Sequence, residues 1–288
     1  MVDEVMSYLQ CHSGKIYVDA TLGGGGHAEE ILKRTGPDGI LIGIEWDEEA
    51  LQEARKRLEP YGERVRIIRE NFIYLLEVLK KEKIEEVDGI LLDLGLSSIQ
   101  LEKGERGFSF QKEGPLDMRM DQRAQTTAAD LIHHLSFPEL ERMLREYGEE
   151  PWARRIAKAI VREREKQPIR TTQALRRVVF QAIPKRFRPK RIDPATKTFQ
   201  AIRIKLNDEL ENLRRILDSG WQVLKKGGRI VILSFHSLED RIVKEAFRKW
   251  EKEGVIKVIT PKPIIPTREE QRENPRSRSA KLRCAEKV

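Results

Sequence analysis

Apolar and polar positions over the first hundred residues follow two alternating rhythms. Four short runs are apolar at almost every position: Lys15-Ile16-Tyr17-Val18-Asp19-Ala20, Ile40-Leu41-Ile42-Gly43-Ile44-Glu45, Val65-Arg66-Ile67-Ile68 and Val87-Asp88-Gly89-Ile90-Leu91-Leu92-Asp93. Between them, apolar residues recur at helical spacing from His27 to Arg34, after Asp47-Glu48-Glu49, and from Phe72 to Lys81. Acids in the first turn of the second of these helices suit its dipole. Near-continuous apolar strands need cover on both faces, and helices connecting parallel strands supply it. The pattern predicts an α/β fold with a doubly wound parallel sheet. Three of the runs end at or beside an acid: Asp19, Glu45 and Asp93.

Beyond Leu101 strand signals nearly vanish until Arg229. Helical periodicity occupies residues 127–147, 151–166 and 171–183, punctuated by Pro138, Pro151, Pro168 and Pro184. A long helix is expected over Asn207–Leu224, closed by Lys225-Lys226-Gly227-Gly228. A strand of the earlier kind follows at Arg229–Ser234. Then come a helix through Leu238–Trp250, a weak strand at Val255–Ile259 and a last strand candidate around Lys281–Glu286. One α/β domain in two sequence pieces, residues 1–103 and 207–288, interrupted by an all-helical insertion at residues 104–206, accounts for this order.

Charge sharpens the division. The 288 residues carry a net charge of +8. Residues 151–205 alone hold 17 Lys/Arg against 3 Asp/Glu, leaving 38 basic and 44 acidic residues elsewhere. A mildly acidic body therefore carries one strongly basic segment, the composition expected of a surface for a polyanion. Its core is Lys185-Arg186-Phe187-Arg188-Pro189-Lys190-Arg191, where an aromatic interrupts the cations. Arg and Lys contact phosphates without reading sequence, and an aromatic can stack on an unpaired base. No apolar run is long enough to cross a bilayer, and the first residues are acidic where a secretory signal needs bases. The two cysteines, Cys11 and Cys284, have neither metal-ligand nor disulfide-framework spacing. The expectation is a cytoplasmic protein with no metal.

Candidate chemistry begins in the loop after the first strand, Asp19-Ala20-Thr21-Leu22-Gly23-Gly24-Gly25-Gly26-His27. Open α/β sheets bind ligands beyond the carboxyl ends of their strands, and glycine lets the backbone come close to a ligand. Gly23-x-Gly25-x-x-Ala28 fits a dinucleotide fingerprint, with Glu45 placed to accept from ribose hydroxyls. A nicotinamide dinucleotide and the adenosine part of S-adenosylmethionine both satisfy this pattern. A short-chain dehydrogenase also needs Lys four residues after Tyr. Here those positions are His12, Thr21, Val65, Val78 and Pro151, which demotes hydride transfer.

Further motifs carry a specific resemblance. Asp88-Gly-Ile-Leu-Leu-Asp-Leu-Gly-Leu-Ser-Ser98, Arg106-Gly-Phe-Ser-Phe110 and Gly114-Pro-Leu-Asp-Met-Arg-Met-Asp121 resemble signatures of the bacterial 16S ribosomal RNA cytosine-N4 methyltransferases, the MraW/RsmH family. So do Tyr147-Gly-Glu-Glu150, Ala195-Thr-Lys-Thr-Phe-Gln-Ala-Ile-Arg203, Ser234-Phe-His-Ser-Leu-Glu-Asp-Arg-Ile-Val-Lys244 and Asn274-Pro-Arg-Ser-Arg-Ser279. They span nearly the whole chain in order. The resemblance implies a class I, Rossmann-like methyltransferase that uses S-adenosylmethionine on a cytosine in the decoding region of 16S rRNA, within the small ribosomal subunit. It places cofactor contacts on Gly25, Gly26, His27, Glu45, Phe72, Asp93 and Gln100. The chain departs from the family in having Glu45 for the usual Asp and Ile99 where many members have Pro. It begins at Met1-Val2-Asp3-Glu4-Val5, without the family's short segment containing His-x-Pro-Val.

The chemistry then selects candidates. The exocyclic amine of cytosine is a poor nucleophile, so acceptors must hold its N–H bonds and favour a pyramidal nitrogen. Asp93, Ser97 and Ser98 lie on the loop that can supply them. The Pro-Pro-aromatic tetrad of other amino-methyltransferases is missing. Carbon-5 methylation needs a cysteine on this loop, and neither Cys11 nor Cys284 is there. Phe235 is placed to stack on a flipped base, with His236 beside it, although His236 equally suits a helix cap. Asp117 and Arg119 are read as lining the cleft. An NAD-dependent oxidoreductase and a non-catalytic RNA-binding assembly factor are the competing functions.

Overall fold

In the computed structural model, which describes residues 1–189 and 192–288, Tyr17, Val18 and Asp19 pair on one side with Leu41, Ile42 and Gly43 and on the other with Gly89, Ile90 and Leu91. These pairings put β1 (Ile16–Asp19) between β2 (Ile40–Ile44) and β4 (Val87–Asp93). β3 (Val65–Ile68) extends the sheet beyond β2. β5 (Leu224–Ser234), β6 (Ile256–Val258) and β7 (Lys281–Lys287) complete it in the order β3-β2-β1-β4-β5-β7-β6. Direction reverses in sequence between β1 and β4, which creates a crevice at the carboxyl ends of those strands. Asp19, Glu45 and Asp93 all sit at that edge.

The apolar strands are buried as their composition requires. One core cluster joins Val18, Ile42, Ile90 and Ile232 to Leu213 and Phe247 from helices on one face. The other joins Tyr17, Leu41, Leu91 and Val231 to Val5, Ile31 and Leu58. The first five strands are parallel. β7 is the exception, running antiparallel to both β5 and β6. The four apolar runs of the first hundred residues are parallel as their pattern predicts.

The chain divides into two compact units, Met1–Ser97 with Leu210–Val288, and Ser98–Glu209. In the second, helices span Ala128–His134, Phe137–Gly148, Ala153–Arg164, Thr172–Ala182 and Thr196–Leu206. The helical periodicity over 127–147 resolves into two helices at the Pro138 punctuation, because Ser136 opens a new capping box with Glu139 and Pro138 follows at its first turn. The helix expected over Asn207–Leu224 is Glu209–Ser219, followed by a 3₁₀ turn at Gly220–Val223. Lys225-Lys226-Gly227-Gly228 belongs to β5 rather than to a helix end. Its pairing with β4 shifts register between Val87 and Gly89, so that this polar stretch joins the strand through an irregularity. Among the described residues no helix is long and apolar enough to cross a membrane.

Candidate active site

The glycine loop is built by backbone requirements. Gly25 has φ +79° and is the N-cap of the helix Gly26–Arg34. A Cβ there would lie 3.3 Å from Leu58 Cδ1, so both the left-handed conformation and the space call for glycine. Gly26 is the first helical residue. His27 follows on the same turn, with Nδ1 3.4 Å from Asp93 Oδ2. The loop is tied to the second strand end by Gly23 N–H, which donates to Glu45 Oε2 at 2.8 Å. Glu45 Oε1 accepts from Trp46 and Asp47 N–H, at 2.9 and 2.8 Å. The cap of the helix Glu48–Leu58 is Asp47, which accepts from Glu49 and Ala50. Glu45 therefore faces the loop and leaves capping to its neighbour.

Burial dominates the electrostatics. It pushes Asp19 up to about 8, against a hydrogen bond from Thr21 N–H, with Asp93 and Glu45 adding repulsion. It pushes Glu45 up to about 7 despite the hydrogen bonds it accepts. It also raises Asp93, with the neighbouring His27 ring opposing. Asp93 Oδ1 is buried with no hydrogen-bond partner among the described residues. A buried acceptor left without a donor is costly, and three crowded carboxyls favour a cation in their midst. S-adenosylmethionine fits both demands, because its sulfonium and ammonium are positive and its ammonium, adenine amine and ribose hydroxyls are donors. Asp19 joins Glu45 and Asp93 as an acid to which the sequence pattern alone gives no role. Its signal is the same as that of Glu45 and Asp93, an acid closing an apolar strand.

Two more regions of the first unit hold candidates. Phe72 opens a 3₁₀ turn, Phe72–Tyr74, after β3, and its ring lies against the core. Phe235 follows β5 and approaches the loop after Asp93: a Cβ on Gly95 would sit 2.8 Å from Phe235 Cε2. The turn at Phe235 is locked by Glu239, whose Oε2 accepts from Phe235 and His236 N–H. His236 is the N-cap of the helix Ser237–Lys252; its Nδ1 accepts from Glu239 N–H at 3.3 Å. His236 Nε2 lies 3.1 Å from Glu239 Oε1, so both ring nitrogens face Glu239. The missed residue here is Glu239, legible as the fourth member of a His-x-x-Glu capping box. Ser97 closes the first unit.

Ser98 and Gln100 belong to the second unit, in the short helix Ser98–Glu102, where Gln100 is buried. Asp117 and Arg119 form a two-pronged pair, with Arg119 Nη2 2.7 Å from Oδ2 and Nε 2.9 Å from Oδ1. Burial raises the Asp117 carboxyl, but the hydrogen bonds and charge of Arg119 outweigh it and hold the group below its usual range. Arg119 also donates to Ala124 O at 2.6 Å. The pair fastens its own loop. Lys185, Arg186 and Phe187 form an exposed 3₁₀ turn. Arg188 turns inward: its Nε donates to Ile183 O, and its guanidinium lies 3.7 Å from the Phe180 ring centroid. Lys190 and Arg191 lie outside the described residues. The Tyr147–Glu150 and Ala195–Arg203 motifs meet, since Gln200 donates to Tyr147 O and Lys197 to Glu149 O.

A seven-stranded α/β sheet with its glycine loop and acids at the β1/β4 crevice defines a Rossmann-like, S-adenosylmethionine-dependent methyltransferase. The chain belongs to the MraW methylase family, whose pattern it matches over residues 1–288. It is 50 % identical over 303 residues to the ribosomal RNA small subunit methyltransferase H of Geotalea uraniireducens (strain Rf4), covering 100 % of this chain and 97 % of that protein. It is 52 % identical over 288 residues to the methyltransferase of the same name from Desulfotalea psychrophila, again covering 100 % and 97 %. Among solved structures, it aligns with an rRNA methylase from Streptococcus thermophilus at 13 % identity and TM-score 0.41, over 100 % of this chain and 93 % of that one.

Proposed function

We propose that this methyltransferase acts on small-subunit ribosomal RNA and methylates the N4 amine of a cytosine in the decoding region of 16S rRNA. The observation that carries the reading is Asp93, a half-buried carboxyl whose Oδ1 is buried and unpartnered among the described residues, at the end of β4 and close in sequence to the Gly95 backbone on which the Phe235 ring rests. Whole-chain identity near 50 % to proteins named for the small-subunit substrate supports the choice of RNA. Bound S-adenosylmethionine supplies an already activated methyl group, so the protein's task is alignment and control of the accepting nitrogen. Gly25, Gly26 and His27 would hold the cofactor at the loop, Glu45 its ribose, and Phe72 and Gln100 its remaining contacts. Asp93 would accept an N–H bond of the target amine, assisted by the hydroxyls of Ser97 and Ser98, and so direct the nitrogen lone pair away from the ring. Phe235 would stack on the extruded base. His236 acts by fixing that turn.

Cys284 lies on β7, paired with Val231, and Cys11 follows the first helix; both thiols are pushed up to about 12 by burial. Neither is a thiolate nucleophile at neutral pH, which favours attack by nitrogen over addition to carbon 5. The second unit is the RNA-binding domain in this reading, with Lys185, Arg186 and Phe187 outermost and Arg188, Lys190 and Arg191 along the same segment. Substrate roles for Asp117 and Arg119 pass through the loop that their pairing holds. The protein works in the cytoplasm beside its ribosomal substrate. The test is labelled methyl transfer to small subunits lacking the modification, read by nucleoside mass spectrometry: N4-methylcytidine is expected, and any other methylated nucleoside refutes the assignment. A nicotinamide enzyme would bind NAD(H) in preference to S-adenosylmethionine in a titration. An assembly factor would bind RNA without transferring methyl.

A further inference from the structure

The exposed segment at Lys185–Phe187 does not stand alone in the second unit. The Phe187 ring, 48 % exposed, lies 5.2 Å from the Trp152 ring at a tilt of 40°. Trp152 immediately precedes the helix Ala153–Arg164. That helix buries Ala153, Ile156, Ala157 and Ile160. Its solvent side presents Arg154, Arg155, Lys158 and Arg162, all exposed. Arg154, Lys158 and Arg162 recur every four residues and so form a stripe roughly 12 Å long. None of these cations is paired with an acid among the described residues, whereas nearby Lys166 and Arg176 are paired with Glu163 and Asp193. The Arg155 guanidinium lies 5.7 Å from the Trp152 ring centroid. The aromatic pair thus joins two basic segments more than twenty residues apart in sequence.

From this juxtaposition we infer that Trp152 and Phe187, together with the Arg154–Arg162 face, form one docking surface for an unpaired stretch of RNA. The inference rests on the RNA-substrate reading above and adds a location and a strand state to it. The unneutralised stripe matches the charge of a phosphate backbone. The rings give the strand state. Bases in a duplex are stacked and offer no free face, while an unpaired base can lie against an exposed aromatic. A helix face that met a second copy of this chain would bring like charges together, which the stripe opposes.

The experiment measures binding of a single-stranded oligoribonucleotide and of a duplex of the same length by fluorescence anisotropy across a salt series. It uses the full chain, the triple variant Arg154→Gln/Lys158→Gln/Arg162→Gln, and Phe187→Leu. Glutamine keeps the helix propensity, and unchanged S-adenosylmethionine affinity checks that the variants are folded. The triple variant should bind single strands about tenfold or more weakly at physiological salt. Its slope of log affinity against log salt should become shallower by about 0.7 for each phosphate that the variant no longer neutralises. Phe187→Leu should weaken single-strand binding about tenfold and leave duplex binding unchanged. Full affinity in the triple variant overturns the surface, as does a change confined to oligomeric state. Equal weakening for duplex and single strand in Phe187→Leu overturns the strand-state claim. If the unaltered protein methylates no RNA but the triple variant still loses oligonucleotide affinity, the surface stands and the functional reading falls. If methylation is seen and its KM for RNA is unchanged in the triple variant, the surface falls and the functional reading stands.

Discussion

The two units have opposite electrostatics. At the β1/β4 crevice, acids are crowded and largely desolvated, Asp19 fully buried and Glu45 and Asp93 partly so: Asp19 and Glu45 are pushed up to about 8 and 7, and Asp93 is raised as well. In the helical unit, bases are crowded and exposed: Arg154, Arg155, Lys158, Lys185 and Arg186 all face solvent. Burial makes few charges strong and selective, which suits a small cationic cofactor. Exposure makes many charges weak, salt-sensitive and additive, which suits a long polyanion. The difference implies that cofactor binding and RNA binding can be altered separately.

The largest effect that tests this separation is expected at Asp93. Asp93→Asn should lower the rate of methyl transfer by about 100-fold or more, the cost typical of losing one preorganised polar group at a reacting centre. RNA affinity should stay within about twofold of the unaltered protein. A matching fall in RNA affinity would break the comparison.

Next in size is removal of the outermost charges. Lys185→Gln/Arg186→Gln/Arg188→Gln should weaken RNA binding by about tenfold at physiological salt and flatten its salt dependence. Titration calorimetry with S-adenosylmethionine should give an unchanged affinity. Arg188 should contribute least to binding, since its guanidinium is engaged by Ile183 O and the Phe180 ring.

The buried acids sharpen the comparison through pH. Asp19 and Glu45 have raised folded-state values, so below about 7 the ligand-free protein holds them mostly protonated. A positive ligand favours their ionised forms and releases protons as it binds. Affinity for S-adenosylmethionine should therefore climb as pH rises from about 6 to 8, by up to about tenfold per unit for each proton released. The uncharged-sulfur product, S-adenosylhomocysteine, should show a shallower rise. The same shifts make the free protein lose stability as pH rises from the unfolded values near 4 through 7 and 8, because the folded state binds the extra protons. Asp19→Asn should flatten that slope in thermal melts. RNA binding, carried by Arg and Lys, should show no comparable step below pH 8.

The smallest effect concerns His236. His236→Ala removes the cap of the helix Ser237–Lys252 and should cost about 1 kcal/mol of stability in denaturant titrations. His236→Asn, another good cap, should restore most of it. Recovery of both stability and methyl transfer in the Asn variant would show that His236 serves by fixing the turn at Phe235.

Legibility in the sequence followed the physics of each element. β1 to β4 are readable because parallel strands buried on both faces are apolar throughout. β7 is readable as a strand but its direction is not, because the returning connection after β6 decides it. The start of β5 is hidden because Lys225-Lys226-Gly227-Gly228 has the composition of a helix stop, while an irregular pairing with β4 keeps it in the sheet. At the crevice, the glycine loop, Glu45 and Asp93 are legible from placement after strands. The significance of Asp19 is not, because its shift comes from a burial that only the folded sheet creates. Trp152 is invisible in the same way: nothing in the sequence announces that it meets Phe187.

The central claim, a methyl group delivered to an RNA base by the acidic crevice of this chain, is tested most directly by one measurement. Small ribosomal subunits lacking the modification are incubated with the protein and methyl-labelled S-adenosylmethionine, and their 16S RNA is digested to nucleosides for mass spectrometry. Labelled N4-methylcytidine is expected, formed about 100-fold or more slowly by Asp93→Asn. Label in 5-methylcytidine, in another nucleoside, or in no RNA at all would contradict it.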